Sequence, residues 1–343
     1  MVLECAKVVR PEQMTLEQDT CEIEDALERQ HFRRLLLQWF DRHKRDLPWR
    51  RDRDPYRVWL SEIMLQQTRV HAVTDHYERF LQRFPSIVRL ASARESSVLA
   101  AWSGLGYYRR ARMLHAAAKK IVKEHAGTFP GNAEALRALP GIGRYTAAAI
   151  ASIAFDQPVA AVDGNVERVL QRVQGKRLAG EDLWRAAAAL LSRRRPGDFN
   201  QAMMELGAMI CLPRQPQCLL CPVSGLCATR GELRRQRKEA PQTKRDIHYA
   251  LACREGSIFL VQRSKTATLM PGMWEFPEIP GANGTPAAWL TLRHSITVTD
   301  YVVRVMRIPA PKGLAGRWVR KSRVATLPLT GLARKILRAA EII

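Results

Sequence analysis

No run of 18 or more apolar residues occurs in the 343-residue chain, so no membrane-spanning helix of ordinary length is expected. The N-terminus lacks the basic and apolar regions of a signal or transit peptide and carries instead Glu4, Glu12, Glu17, Asp19, Glu22, Glu24 and Asp25. A cytoplasmic or nuclear protein is therefore expected, nucleoid-associated if bacterial and without a membrane partner. In such a reducing compartment the 7 cysteines serve as ligands or core thiols, not disulfides. No sequence repeat relates the two halves. The composition shows no sign of disorder or of a fibre, with 46% apolar and 26% charged residues. Negative charge is what runs short. Asp plus Glu number 33 against 55 Lys plus Arg, a formal charge of +22, which favours a polyanionic partner such as nucleic acid through counterion release; a surface charged for solubility is the alternative.

At roughly 150 residues per domain the length suits two domains. Residues 1–29 show no apolar periodicity and read as an N-terminal extension. Residues 30–228 read as helix after helix, with LLLQWF, VWLSEIML and VLAAWSGL separated by Pro and Gly. Residues 229–246 form a basic, polar stretch that reads equally as a linker or as a solvated helix. From 247 to 343 the segments HYALACR, SIFLVQR, HSITVTDYVVRVMRI and RWVR are short, β-branched and separated by turn residues, which predicts a small domain built on strands. The expected fold class is α+β and multi-domain, with an all-α part first.

Cys211, Cys218, Cys221 and Cys227 form C-x6-C-x2-C-x5-C, a spacing that lets four thiolates close around one metal centre. Zinc and a 4Fe-4S cluster both accept four thiolates, and the residues alone do not choose between them. Cys5, Cys21 and Cys253 are left over as small thiols.

Leu139-Pro140-Gly141-Ile142-Gly143 lies between two helical stretches. Glycines there let backbone N–H groups approach a phosphate, and the following helix N-terminus carries partial positive charge, although an ordinary tight turn would read the same way. Twenty residues on, Asp163 precedes the helical stretch NVERVLQRV, where the helix dipole favours negative charge; a plain N-cap is the bland alternative. Glu62 stands in Trp59-Leu60-Ser61-Glu62-Ile63-Met64-Leu65, on a helix opened by Asp54 and Pro55. Burial among such neighbours would raise its pKa, whereas snorkelling from an amphipathic helix would not. One protonated and one ionised carboxyl group would suit N-glycosidic cleavage, in which the leaving base is protonated and a cation-like sugar is stabilised.

Five ordered motifs decide among these alternatives. Leu47-Pro48-Trp49-Arg50, Ser61 to Thr68, Gly104-Leu105-Gly106-Tyr107-Tyr108, the hairpin and Val162-Asp163-Gly164-Asn165 together resemble the MutY family of adenine DNA glycosylases, in the endonuclease III superfamily of helix-hairpin-helix enzymes. The resemblance spans about residues 31–228. It implies a 4Fe-4S cluster on the four cysteines, structural and DNA-docking in role, and Glu62 as the general acid at adenine. It implies that Asp163 stabilises or covalently captures the sugar cation, with Tyr145 and Asn165 orienting it. Gln67 and Tyr107 correspond to residues that intrude beside the mispair and hold the flipped state; as plain structure they would be a helix cap and a core aromatic. Leu65, Thr68, Arg50, Gly141 and Gly143 lie in the same motifs and join the expected DNA-contacting set. The implied partner is duplex DNA with adenine opposite 8-oxoguanine or guanine, bound by a monomer. Superfamily members that also nick the strand carry a lysine where this chain has Tyr145, so a monofunctional enzyme is expected.

Leu269-Met270-Pro271-Gly272-Met273-Trp274-Glu275-Phe276-Pro277 resembles the family's C-terminal, Nudix-like α/β domain, and no acid-rich Nudix box follows it; recognition without hydrolysis is expected. The Phe-Ser-His loop through which many members read 8-oxoguanine falls here at Ile296-Thr297-Val298. Thr297 keeps a hydroxyl but the histidine is absent, so either His294 or Ser295 takes over or lesion recognition is altered. These could also be plain strand residues. An endonuclease III-like lyase is opposed by Tyr145 and the extra domain. A non-enzymatic iron-sulfur redox regulator would bind DNA without needing Glu62 together with Asp163.

Overall fold

A computed structural model describes residues 25–233, 243–267, 269–281, 287–296 and 299–343. The expected site residue Thr297, the leftover Cys5 and Cys21, and most of the expected extension lie outside the described residues. The helical part runs through α1 (Ala26–His43), α2 (Pro55–Leu65), α3 (Val70–Arg83), α4 (Ile87–Ala91), α5 (Glu95–Ala101) and α6 (Arg109–His125), then α7 (Ala133–Arg137), α8 (Arg144–Phe155), α9 (Gly164–Val173), α10 (Gly180–Leu190) and α11 (Pro196–Met209). Helix α1 starts four residues before the expected boundary at residue 30. Asp25 caps it by accepting from the Leu27 amide, and its buried face, Phe32, Leu36, Trp39 and Phe40, begins two turns later, so the first turn shows no apolar pattern.

Two apolar cores divide this part. One gathers Trp59, Leu60, Phe80, Leu90, Trp102 and Ile150 from α2 to α8, and the other Phe32, Leu36, Leu170, Phe199, Ala202 and Leu206 from α1, α9, α10 and α11. The chain leaves the second core after α1, completes the first, and returns. Helix α2 opens as expected, with the Asp54 side chain accepting from the Arg57 amide and Pro55 in the first turn. It is then buried on every side from Tyr56 to Met64 except at Arg57. A fully buried Leu or Ile contributes about 1.5–3 kcal/mol, so rotating this helix to bring Glu62 to water would forfeit several such contributions. Snorkelling is thereby closed to Glu62.

The described residues beyond 242 form two four-stranded sheets. The first has the order β5 (Glu278–Ile279), β1 (Thr243–Ala250), β7 (Thr299–Met306), β6 (Leu290–Ile296). In the second, β2 (Cys253–Arg254), β3 (Ser257–Gln262) and β4 (Trp274–Glu275) are joined by β8 (Gly316–Arg320) on β3. Strand β1 runs parallel to β7 from Thr243 opposite Thr299 to Ala250 opposite Met306. The last four residues of the expected linker are therefore strand. Their pairing partner lies 56 residues downstream, beyond any local pattern. The short α12 (Lys321–Val324) precedes α13 (Gly331–Ala339), which buries Leu332, Ala333, Ile336 and Leu337 in this domain's core.

The two parts share buried contacts. Met273 is fully buried in the first helical core, and the Leu329 carbonyl accepts from Tyr108 Oη at 2.7 Å and Ser103 Oγ at 3.3 Å. The helices also approach closely: a Cβ on Gly197 of α11 would lie 2.5 Å from the Ser152 carbonyl oxygen and 2.7 Å from Ile153 Cα. Gly197→Ala is therefore expected to destabilise the protein by about 1–3 kcal/mol, since backbone has to move to admit the methyl. Thermal unfolding checks this, and an unchanged midpoint would contradict the close α8–α11 approach.

Candidate active site

The site forms at the seam between the two helical cores. The hairpin between α7 and α8 turns at Gly141, whose φ of +74° disfavours other residues and where a Cβ would lie 2.5 Å from Met113 Cβ. The turn delivers Tyr145 as the second residue of α8, and its hydroxyl donates to Glu62 Oε2 at 2.7 Å while meeting Met204 Sδ at 3.1 Å. Across the cleft Asp163 caps α9: Oδ1 accepts from the amides of Asn165 and Val166 at 2.9 and 2.8 Å, and Oδ2 accepts from Asn165 Nδ2 at 2.9 Å. Asn165 is held in turn by Arg168, whose Nη2 donates to its Oδ1 at 2.8 Å and whose Nε donates to the Cys211 carbonyl. Gly207 of α11 permits this closeness, since a Cβ there would stand 2.6 Å from Asn165 Cβ. Asp163 is thus both an N-cap and a wall of the cleft, so the two readings of it are compatible.

Two buried glutamates in this cleft are driven in opposite directions. Burial pushes the Glu62 carboxyl up to about 7, with Asp163 adding to the effect and the Tyr145 hydrogen bond and Arg50 opposing it. Burial also acts on Glu205, yet hydrogen bonds from Arg45 and Arg50 outweigh it and hold that carboxyl at about 2. Arg45 and Arg50 each donate to both Glu205 oxygens, at 2.7–3.1 Å. A guanidinium within hydrogen-bonding distance separates the two cases. Tyr145 is itself raised well above the ordinary phenol range, chiefly by burial, and keeps its proton for the bond to Glu62.

The structure brings most of the expected residues together. Glu62, Leu65, Gln67, Thr68, Gly143, Tyr145, Asp163, Asn165 and Arg50 all line this cleft, Arg50 doing so while paired with Glu205. Gln67 also borders a neighbouring recess with Tyr107 and Gly141. Gln67 and Tyr107 both have left-handed backbones, φ +56° and +46°, and the Tyr107 ring is 47% exposed. That conformation is costly away from glycine and is a mark of functional loops. Tyr107 is therefore no core aromatic. His294 and Ser295 lie elsewhere, on β6, where His294 Nδ1 meets Lys335 Nζ at 3.1 Å and Ser295 Oγ donates to Asp300 Oδ1 at 2.5 Å.

Glu205, Arg45 and Arg110 are site residues that the sequence reading missed. Glu205 sits in Met203-Met204-Glu205-Leu206, the same acid-in-apolar-helix signal that marked Glu62, and could have been found by it. Nothing local marks Arg110, because most of its partners are carbonyls at the end of α2 and just after it, 44–47 residues away in sequence.

The four expected ligand cysteines line one recess with Val169, Leu206, Ile210 and Val223. Arg172 Nη1 donates to Cys211 Sγ at 3.3 Å, and Cys227 Sγ donates to the Arg172 carbonyl at 3.4 Å. Burial pushes the Cys221 thiol up to about 11, and burial with the neighbouring sulfurs also raises Cys218. No three His, Cys, Asp or Glu side chains among the described residues form a ready metal-ligand group. Four sulfurs in an apolar recess, with a cation against one of them, suit a thiolate-bound centre of net negative charge. Cys253 is exposed and apart from them.

Residues 60–188 match the model of the HhH-GPD superfamily of base excision DNA repair proteins. The adenine DNA glycosylase of Mus musculus is 44% identical over 296 residues, covering 76% of this chain and 57% of that protein. The chain thus spans little more than half the length of that relative. The adenine DNA glycosylase of Buchnera aphidicola subsp. Acyrthosiphon pisum is 33% identical over 261 residues, 72% of this chain and 74% of that one. Among solved structures, a thermostable thymine-DNA glycosylase superposes with a TM-score of 0.57 at 32% identity, covering 60% of this chain and 99% of that chain.

The raised Glu62 carboxyl makes folding pH-dependent. Below the unfolded value of about 4.3 both states hold the proton; above it the unfolded chain releases the proton while the fold retains it until about 7. Stability from this group is thus full at acid pH and lost as pH rises through 7. Glu62→Gln lacks the titration. Its stability relative to wild type should improve by on the order of 2 kcal/mol between pH 5 and pH 8. Denaturant midpoints at the two pH values measure this, and parallel changes in both proteins would contradict it.

Proposed function

The chain belongs to the adenine DNA glycosylase family of the HhH-GPD superfamily, and on that premise we propose that it hydrolyses the N-glycosidic bond of adenine mispaired in duplex DNA. The observation that carries this reading is the pair of carboxyl groups in one cleft: Glu62, buried and raised to about 7, and Asp163 at the N-terminus of α9. Glu62 gives its proton to a ring nitrogen of the flipped adenine as the bond from that base to the sugar breaks, so the base leaves neutral. Asp163, as an anion fixed by three N–H donors, stabilises the oxocarbenium-like sugar that remains. Water then adds to the sugar carbon, and its proton returns to Glu62. Tyr145 holds the Glu62 carboxyl in one orientation and offers no amine for a Schiff base, so the reaction stops at the abasic site.

The hairpin and the amide-bearing start of α8 would seat the DNA backbone, and Gln67 and Tyr107 would enter beside the mispair. The base opposite, 8-oxoguanine or guanine, would fall to the C-terminal domain, where His294 and Ser295 stand on β6. Cys211, Cys218, Cys221 and Cys227 would hold a 4Fe-4S cluster. When bound it would supply no glycosidic chemistry, and these four thiolates would then fix the loop after α11 as a DNA-docking element.

Wild type should release adenine from adenine:8-oxoguanine and adenine:guanine duplexes, with strand breakage only after alkali. Glu62→Gln should bind the same duplexes without turnover, and adenine release by that variant at near wild-type rate would overturn the assignment of the acid. Metal analysis of the purified protein should give about four irons per chain, the content of one 4Fe-4S centre. Stoichiometric zinc without iron would contradict the cluster.

A further inference from the structure

Arg110, in the first turn of α6, reaches the end of α2 and the two loops that carry Gln67 and Tyr107. Its Nη1 donates to the carbonyls of Ile63, Met64 and Gln66 at 2.7, 3.0 and 2.6 Å. Its Nη2 donates to Thr68 Oγ1 at 3.1 Å and to the carbonyls of Leu105 and Gly106 at 3.1 and 3.4 Å. The guanidinium carbon lies 5.5 Å from the ring centroids of both Trp102 and Tyr107. No carboxylate pairs with it among the described residues.

Each bond has a structural meaning. The Ile63 and Met64 carbonyls belong to the last turn of α2, where helical partners run out, so Arg110 caps the helix that carries Glu62. The Gln66 and Thr68 oxygens flank Gln67, and the Leu105 and Gly106 oxygens precede Tyr107. Both of these residues hold left-handed backbones that require outside support. A planar guanidinium can meet oxygens on two loops at once in fixed directions, which a lysine ammonium cannot do.

We propose that Arg110 is the positioning residue that locks the Gln67 loop and the Tyr107 loop into one rigid unit, so that both side chains enter the duplex together as adenine is turned out. The role rests on the adenine-excision reading above. Arg110 touches neither base nor sugar in it, and acts through the end of α2 and the two loops.

The test is a mutant cycle in the whole 343-residue chain, with single-turnover adenine release from an adenine:8-oxoguanine duplex as one readout. The other is the fluorescence rise of 2-aminopurine placed at the target position, which reports unstacking without chemistry. Arg110→Met should lower the release rate on the order of a hundredfold, as expected when positioning is lost, and should suppress the fluorescence rise. Its alkaline limb, set by Glu62, should stay where it is in wild type. In a Gln67→Ala, Tyr107→Ala background the same substitution should cost less than about threefold, because the side chains it positions are already gone. Arg110→Lys, which keeps the charge but not the planar fork, serves as the second variant and should behave as Arg110→Met. An equal cost in both backgrounds, or an alkaline limb displaced with Arg110, would overturn the proposal. Failure of wild type to release adenine would instead reject the reading of the reaction, and circular dichroism separates either result from misfolding.

Discussion

A carboxyl group kept from water and from cations retains its proton at a pH where free glutamate has lost it, and the helical part of this protein is arranged around that condition at Glu62. Helix α2 is buried along almost its whole length, and Glu62 is only 7% exposed, at the cleft wall. The arginines that line the cleft are committed elsewhere: Arg45 and Arg50 are bonded to Glu205, and Arg144 to Glu181. The polar hydrogen that does reach Glu62 comes from Tyr145, a neutral donor. Had Arg45 or Arg50 been nearer Glu62 than Glu205, the first carboxyl would have behaved as the second does and lost its proton. The placement of two arginines thus decides which buried glutamate can serve as an acid.

The seam between the two cores makes this possible. Glu62 and Tyr145 come from the core built by α2 to α8, whereas Asp163, Met204 and Glu205 come from the elements of the other. Neither core alone contains the site. Helix α9 extends the connection: Asp163 caps its start, and Arg168 and Arg172 on its following turns reach the Cys211 loop. On the opposite side α6 closes the arrangement through Arg110. The C-terminal domain leans on the same region, with the Leu329 carbonyl bonded to Tyr108, next to Tyr107. The loops proposed to enter DNA are therefore anchored from several directions while their own side chains stay exposed.

Much of this was legible in the sequence because the signals are local. The Asp54-Pro55 helix start, the Pro-Gly hairpin and the three spacings between the four cysteines each occupy a short stretch of chain. Other features were not legible, for identifiable reasons. Whether Glu62 snorkels depended on the burial of the opposite face of α2, which only packing settles. The strand at Thr243 needs a partner 56 residues away, and a basic stretch looks like a linker until that partner is found. Arg110 was invisible because carbonyls carry no sequence signature. Glu205 was overlooked although it carried the same pattern as Glu62, an acid within an apolar helix.

The central claim is that a proton held by Glu62 near neutrality is the proton delivered to adenine, and the pH dependence of single-turnover adenine release by wild type tests it most directly. The rate should be level on the acid side and fall as pH rises through about 7, approaching about tenfold per pH unit as Glu62 loses its proton. A rate that holds constant to pH 9 on an adenine:8-oxoguanine duplex, with the protein folded and DNA bound throughout, would contradict it.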